Sequence, residues 1–243
     1  MNAIIALKKI AKEYDGIKVL KDVTFDIKEG EITAIIGTNG SGKTTLLDML
    51  TGLLQLSEGR IVIKGDSKNA LSIKNLYKLG IARVFQESKL SGQMTVLDNI
   101  LLVNRIRNPI TSLFLKHDKE KYDEAEMILK IFGIWDKRNI LALRLSYGQR
   151  KLLEIARALI MNPEILLLDE PFAGLSKVMS RKLIIILQQL KSAGRAIVLV
   201  EHDLNIITKL ADNSVVLENG EIIARGQTKQ ILNIKKVKES YVI

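Results

Sequence analysis

Residues 37–44 read Gly37-Thr38-Asn39-Gly40-Ser41-Gly42-Lys43-Thr44, and their reading decides the fold. The pattern is G-x-x-x-x-G-K-[ST], a loop whose backbone N–H groups close around phosphate oxygens. Such a match carries weight only between a strand and a helix. Here the apolar run Ile32 to Ile36 leads in, and Thr45-Leu46-Leu47-Asp48-Met49-Leu50 leads out with helical character. Glycines at 37, 40 and 42 let the chain curl so that successive N–H groups face one anion. A helix beginning near Lys43 adds its positive end, worth about 0.3–1 kcal/mol per exposed anionic charge. Residues 37 to 45, ending in Thr45, are thus read as a phosphate cradle. Lys43 supplies an ammonium for β- and γ-phosphates, and Thr44 offers a hydroxyl to Mg²⁺.

Two further apolar runs, Ile165 to Leu168 and Ala196 to Val200, lack polar alternation. Strands covered on both faces of a parallel sheet look like this. Ligands of open α/β sheets sit beyond the carboxyl ends of the strands. The first run ends in Asp169-Glu170 and the second in Glu201-His202-Asp203. Asp169 is expected to reach Mg²⁺ through its water shell, since Mg²⁺ keeps several waters. Glu170 is expected to polarise the attacking water, and general-base assistance is worth about 10²–10⁴ in rate. His202 is expected to contact the γ-phosphate. The bland reading of the carboxylate pair is a helix cap, and Pro171 predicts a helix start close behind it.

Elsewhere Val23, Phe25 and Ile27 alternate with polar residues, which implies a half-buried strand, and Arg60 to Lys64 is another between glycines. Asn219-Gly220 between Val215–Leu217 and Glu221–Ala224 is a hairpin turn signal. From about Met94 to Met161 the periodicity becomes helical. Ala125, Ile128, Leu129 and Phe132 form one apolar face, and Gly133 follows as a C-cap. This stretch is read as a helical insert in an α/β core. Asn104 to Lys121, broken at Asn108-Pro109, is read as a surface connection within it.

Composition narrows the chemistry. With 47% hydrophobic residues the chain can bury a core, which excludes a disordered chain. Thirty-seven positive side chains against 27 negative give a formal charge of +10, which suits nucleic acid, an acidic membrane surface or a phosphorylated ligand. The lysines are scattered, with no basic run longer than Lys235-Lys236-Val237-Lys238, and this favours a solvated surface over a nucleic-acid patch. The absence of cysteine excludes disulfides, thiolate zinc sites and cysteine nucleophiles. His117 and His202 are the two histidines, too few for a histidine metal site, and His117 is read as surface. No stretch approaches the roughly 18 apolar residues of a membrane helix, and the N-terminus lacks the order of a secretory signal. A cytoplasmic protein is expected.

A phosphate loop alone leaves kinases, GTPases, recombinases and transport ATPases open. The missing Asn-Lys-x-Asp guanine motif weakens the GTPase option. Leu145-Ser146-Tyr147-Gly148-Gln149-Arg150 narrows the field further. Locally Ser146 caps a helix and Gln149 completes a capping box. Leu152, Ile155, Ala156 and Leu159 form the buried stripe. Gly148 costs about 1 kcal/mol relative to alanine in a helix and is left unexplained by capping. It would let a phosphate approach the helix start.

With these residues the chain resembles the ABC ATPase family over essentially its full length, Leu145 to Gln149 being similar to its signature motif. The resemblance implies an α/β fold, a P-loop NTPase core with a mostly parallel sheet and an N-terminal antiparallel β-subdomain. One ABC ATPase domain is implied, with its core at about 1–90 and 161–230, an inserted α-helical subdomain at about 91–160 and a short tail over 231–243. It implies that Gln86, in Val84-Phe85-Gln86, senses Mg²⁺ and water and couples to a membrane subunit. It implies that Tyr14 stacks on adenine, an interaction worth roughly 1–3 kcal/mol. Two subunits would then face head to tail, as a homo- or heterodimer. ATP would lie between Lys43 of one and Ser146, Gly148 and Gln149 of the other. The chain departs from the family at Gly174-Leu175-Ser176, where serine stands in place of the usual aspartate of a loop that contacts the opposite subunit.

Leu145 to Arg157, Val200 to Asp203 and the Asn104–Lys121 segment look similar to ATP-binding subunits of branched-chain amino acid importers. Urea and amide importers and lipopolysaccharide-export ATPases share much of this. The expected setting is peripheral, on the cytoplasmic face of the membrane beside transmembrane permease subunits. An ABC-type ATPase acting on nucleic acid or ribosomes would carry long coiled coils or a second cassette, and neither is present in the 243 residues. A module that binds ATP without hydrolysing it is the third reading, and the presence of Glu170 and His202 argues against it.

Overall fold

The computed structural model describes residues 3–68, 71, 73–107, 118–234 and 237. In chain order come β1 (Ala3–Tyr14), β2 (Ile17–Lys28), β3 (Ile32–Gly37), α1 (Lys43–Leu50), β4 (Glu58–Ile63), β5 (Asp66–Lys68) and β6 (Ile81–Val84). Three helices follow, α2 (Val96–Arg107), α3 (Asp118–Phe132) and α4 (Tyr147–Leu159). The chain continues through β7 (Ile165–Asp169), α5 (Lys177–Ser192), β8 (Ala196–Val200) and α6 (Leu204–Leu210). It closes with β9 (Asn213–Glu218), β10 (Glu221–Gln227) and α7 (Thr228–Ile231). The chain forms two compact units, Met1–Arg83 with Glu164–Glu170 and Ile186–Ile243, and Val84–Pro163 with Pro171–Ile185.

The first unit is built on two sheets, four strands in the order β2-β1-β4-β5 and six in the order β10-β9-β3-β8-β7-β6. Every pairing in the smaller sheet is antiparallel. In the larger, β3 pairs in parallel with β8 and β9, and β7 with β8, while β10 adds to β9 antiparallel. This is the α/β architecture with a mostly parallel sheet. All residues of β3, β7 and β8 are buried, which is why their sequences do not alternate. On β2, Val23, Phe25 and Ile27 are buried while Thr24 and Asp26 are exposed. One apolar cluster joins Leu7, Phe25 and Ile61 of the small sheet to Ile35, Leu167 and Val198 of the large one. The β9–β10 turn uses Asn219 at φ 49° and Gly220 at φ 81°, the two positive angles of a type I′ turn. Its Gly220 N–H donates to the Ser41 carbonyl at 3.2 Å, so the hairpin tip supports the phosphate loop.

In the second unit α2, α3 and α4 pack on one another. Ala125, Leu129 and Phe132 are buried on α3, and Leu152, Ile155 and Ala156 on α4. Helix α3 ends in a Schellman arrangement, with Gly133 N–H donating to Lys130 O and Ile134 N–H to Leu129 O, both at 3.0 Å. Two expectations are corrected. The Asn104–Lys121 connection is shorter than read, because α2 runs to Arg107 and α3 starts at Asp118. The Asn108-Pro109 break and His117 lie outside the described residues. The helix expected just after Pro171 begins only at Lys177, because the cap sits at Ser176, whose Oγ accepts the Met179 N–H at 3.3 Å. Phe172 to Leu175 instead forms a turn. No helix among the described residues is long and apolar enough to cross a membrane.

Candidate functional site

The phosphate loop connects β3 to α1. A Cβ on Gly37 would meet Ser41 Oγ at 2.3 Å and the Leu217 carbonyl at 2.6 Å, so only glycine lets the loop fold back at this point. Gly42 holds φ at 101°, and a Cβ there would strike Leu20. Gly42 is also the N-cap of α1 and gives the helix no side-chain cap. The first N–H groups of a helix have no intrahelical acceptor, so this start is open to an anion. Ser41 Oγ is buried with no hydrogen-bond partner. Thr38, Asn39, Gly40 and Thr44 are exposed, and Thr45 is half-buried in the first turn of α1. The Lys43 ammonium donates to the carbonyls of Gly37 at 2.7 Å and Thr38 at 2.9 Å. Burial lowers its pKa, while the charges of Glu170 and Asp169 raise it.

Asp169 ends β7 and is 2% exposed. Burial pushes its carboxyl above the ordinary aspartate range, Arg83 pulls it back, and Glu170 and Asp48 add to the rise. Arg83 lies within β6 with its side chain buried. It reaches Asp48 Oδ1 at 2.5 Å and Asp169 Oδ2 at 3.5 Å, and so links the end of α1 to the end of β7. The sequence reading missed Arg83. Its signal is an arginine inside the otherwise apolar run Ile81-Ala82-Arg83-Val84.

Glu170 holds φ at 47°, an unusual angle for a side chain with a Cβ, and its N–H donates to Val200 O at 3.0 Å. Strained backbone of this kind persists only where its surroundings enforce it. His202 Nε2 lies 2.7 Å from Glu170 Oε1. Asp203 caps α6 through the N–H groups of Asn205 and Ile206. Tyr14, at the end of β1, is 41% exposed and carries the Lys12 ammonium 4.8 Å from its ring centroid.

In the second unit Ser146 and Gln149 form the expected capping box. Gln149 N–H donates to Ser146 Oγ at 3.3 Å, and Ser146 N–H to Gln149 Oε1 at 3.1 Å. Lys137 also donates to Gln149 Oε1 at 3.1 Å. Gly148 is buried, and a Cβ there would meet Met179 Sδ at 3.1 Å and the Gly174 carbonyl at 3.2 Å, a tight approach from within the chain. Gln86 is exposed in the loop after β6. Lys151 and Glu154, buried on α4, were missed as well. Their signal is a pair of opposite charges three residues apart beside the Leu152 stripe.

The donor set suits a nucleoside triphosphate. An uncapped helix start, the buried Ser41 hydroxyl and the Lys43 ammonium all favour phosphate oxygens. Thr44 and Asp169 offer hard oxygen ligands, the type Mg²⁺ takes alongside phosphates. No group of three or more His, Cys, Asp or Glu residues that could cage a metal occurs among the described residues.

Comparison with known proteins agrees with this chemistry. The profile of the ABC transporter family matches residues 20–173. A probable branched-chain amino acid transport ATP-binding protein, LivG of Archaeoglobus fulgidus, is 36% identical over 98% of this chain and 95% of its own. The lipopolysaccharide export system ATP-binding protein LptB of Haemophilus influenzae is 32% identical over 99% of this chain and 97% of its own. A dimeric post-hydrolysis ATP-binding cassette bound to ADP and Pi superposes with a TM-score of 0.81 at 30% identity, covering 92% of this chain and 98% of that one.

Proposed function

The chain belongs to the ABC transporter family as an ATP-hydrolysing, nucleotide-binding subunit, and from that membership we propose that two copies or near-copies clasp Mg-ATP to drive separate membrane subunits. The observation that carries the site assignment is the pairing of Glu170 with His202 at 2.7 Å in the unit that also holds the Lys43 ammonium and the uncapped start of α1.

In this reading Lys43 and the N–H groups of residues 40 to 45 bind the β- and γ-phosphates. Bound Mg²⁺ supplies charge neutralisation on those oxygens, and Thr44, Asp169 and Gln86 would hold it. His202 positions the Glu170 carboxylate. Glu170 orients a water and takes its proton as the water oxygen bonds to the γ-phosphorus. The bond from that phosphorus to the β,γ-bridging oxygen breaks, and ADP and phosphate leave. Tyr14 stacks on the adenine. Ser146, Gly148 and Gln149 meet the γ-phosphate of the opposite subunit. Ser176 keeps the helix-capping role an aspartate would have, so its loop retains a defined start to α5.

The cargo proposed is a branched-chain amino acid or related polar solute, imported through permease subunits with this chain on the cytoplasmic face of the membrane. The match to LivG supports that choice. The match to LptB supports lipopolysaccharide export as a second reading. Purification of the native complex from detergent-solubilised membranes tests the proposal. Recovery of hydrophobic permease subunits is expected. Recovery of ribosomes or DNA instead would overturn it.

A further inference from the structure

Two ionic side chains of α4 lie where a solvated charge has no place. The Lys151 side chain is 3% exposed and that of Glu154 is 5%. Although three residues apart on one helix, their Nζ and Oε2 atoms stand 4.0 Å from each other, a weak direct pair. Their better partners belong to the backbone of a different segment. Lys151 Nζ donates to the carbonyls of Phe85 at 3.0 Å and Gln86 at 2.9 Å. Glu154 Oε1 accepts the Lys89 N–H at 2.5 Å, and the Ser88 side chain adds a hydrogen bond to the same carboxylate.

Residues 86–89 of that segment are exposed and lie outside any helix or strand. Exposed coil without a ladder opens easily on its own. Gln86, Ser88, Tyr147 and Arg150 line a small cavity beside the ionic pair. Three backbone groups of the segment are bound to these two ionic side chains. Charge-assisted hydrogen bonds are roughly twice as strong as neutral ones. Removing one member of a buried pair strands the other, so the attachment is held from both sides. It also spans about 65 residues of sequence, from the loop to the helix that Ser146 caps.

We propose that Lys151 and Glu154 are positioning residues that fasten the Phe85–Lys89 loop to α4 and so hold Gln86 in a fixed place relative to the Ser146–Gln149 turn. Its functional half rests on the reading of Gln86 and Ser146 as site residues, whereas the attachment itself is measured without any turnover.

Amide hydrogen exchange and steady-state ATP hydrolysis on the full chain test both halves. Lys151→Met is expected to speed exchange across Phe85–Lys89 by about tenfold or more, with α4 amides changing less than about threefold. Turnover is expected to fall about tenfold while KM for ATP stays within about threefold of the parent. Lys151→Arg is expected to restore both readouts, which a merely space-filling role would not need. Loop exchange equal to the parent's would overturn the proposal, and so would a faster loop with unchanged turnover. Where Lys151→Met does not fold, Glu154→Gln carries the same comparison at the Lys89 amide, where faster exchange is expected and unchanged exchange overturns. A parent chain that hydrolyses no ATP contradicts the proposed function, and the exchange data then still decide the attachment.

Discussion

His202 Nε2 sits 2.7 Å from Glu170 Oε1, a contact between residues that follow the ends of two neighbouring parallel strands. The register explains it. Asp169 of β7 is opposite Val200 of β8, so both strands end at the same level, and Glu170, one residue on, comes within reach of His202, two residues on.

In the proposed mechanism this contact lets His202 hold Glu170 as the general base. His202→Ala is expected to lower ATP turnover about 100-fold. Equilibrium ATP affinity is expected to stay within about threefold, since the phosphate loop is untouched. Steady-state hydrolysis beside nucleotide-binding titrations checks the split, and unchanged turnover would contradict the role.

Under the proposed mechanism Glu170→Gln removes the proton acceptor and leaves the cradle intact. Turnover is expected to fall by about 10²–10⁴, and an ATP-bound dimer is expected to accumulate. Sedimentation at saturating Mg-ATP reads this directly. A variant that stays monomeric contradicts the head-to-tail clasp.

Arg83 ties Asp48 to Asp169 with a side chain almost wholly out of solvent. Arg83→Met leaves a buried carboxylate without its cation, and such breaks cost about 3–5 kcal/mol. Urea unfolding of the two proteins measures the difference. A loss well under about 1 kcal/mol, the scale of a surface ion pair, would show that the network does not stabilise the fold.

Glu154 gives a pH signature. Burial pushes its carboxyl above the ordinary glutamate range, against the pull of the Lys89 N–H, Lys151, Ser88 and Arg157. The folded chain therefore keeps this proton to higher pH than the unfolded chain does. Stability from this source is fully present below the unfolded value and is lost as pH rises through the folded one. Glu154→Gln cannot titrate at this position. The parent's stability minus the variant's is expected to fall as pH rises from the ordinary value of 4.5 upward. Denaturant melts across that range check it, and a flat or rising difference contradicts it.

The parts of the fold legible in the sequence are those written locally. The phosphate loop, the unalternating strands β3, β7 and β8, the Asn219-Gly220 hairpin and the Ser146 capping box each use residues within a few positions of one another. Strand β1 was not legible because its pattern is broken. Register shifts fall between Leu7 and Ile10 and between Ile10 and Lys12, and Lys9 holds φ at 52°, so the apolar period slips along its length. Arg83 stands out as a charge in an apolar run, but its partners were not legible, because its two carboxylates are 35 and 86 residues away. Lys151 and Glu154 looked like the solvated charges of an amphipathic helix, and only the approach of the Phe85–Lys89 loop reveals them as buried. Gly148 signals a close approach, and within the chain the atoms nearest it are those of Met179 and Gly174.

In the proposed mechanism the loop Gly37–Thr44 grips the terminal phosphates, and hydrolysis depends on this grip. Mg-ATP binding and turnover by the parent and by Lys43→Ala, at matched folding, test it most directly. The variant is expected to lose turnover by about 100-fold or more, the scale of removing one preorganised charge from a developing phosphoryl anion. A Lys43→Ala protein that binds and hydrolyses Mg-ATP as the parent does would contradict it.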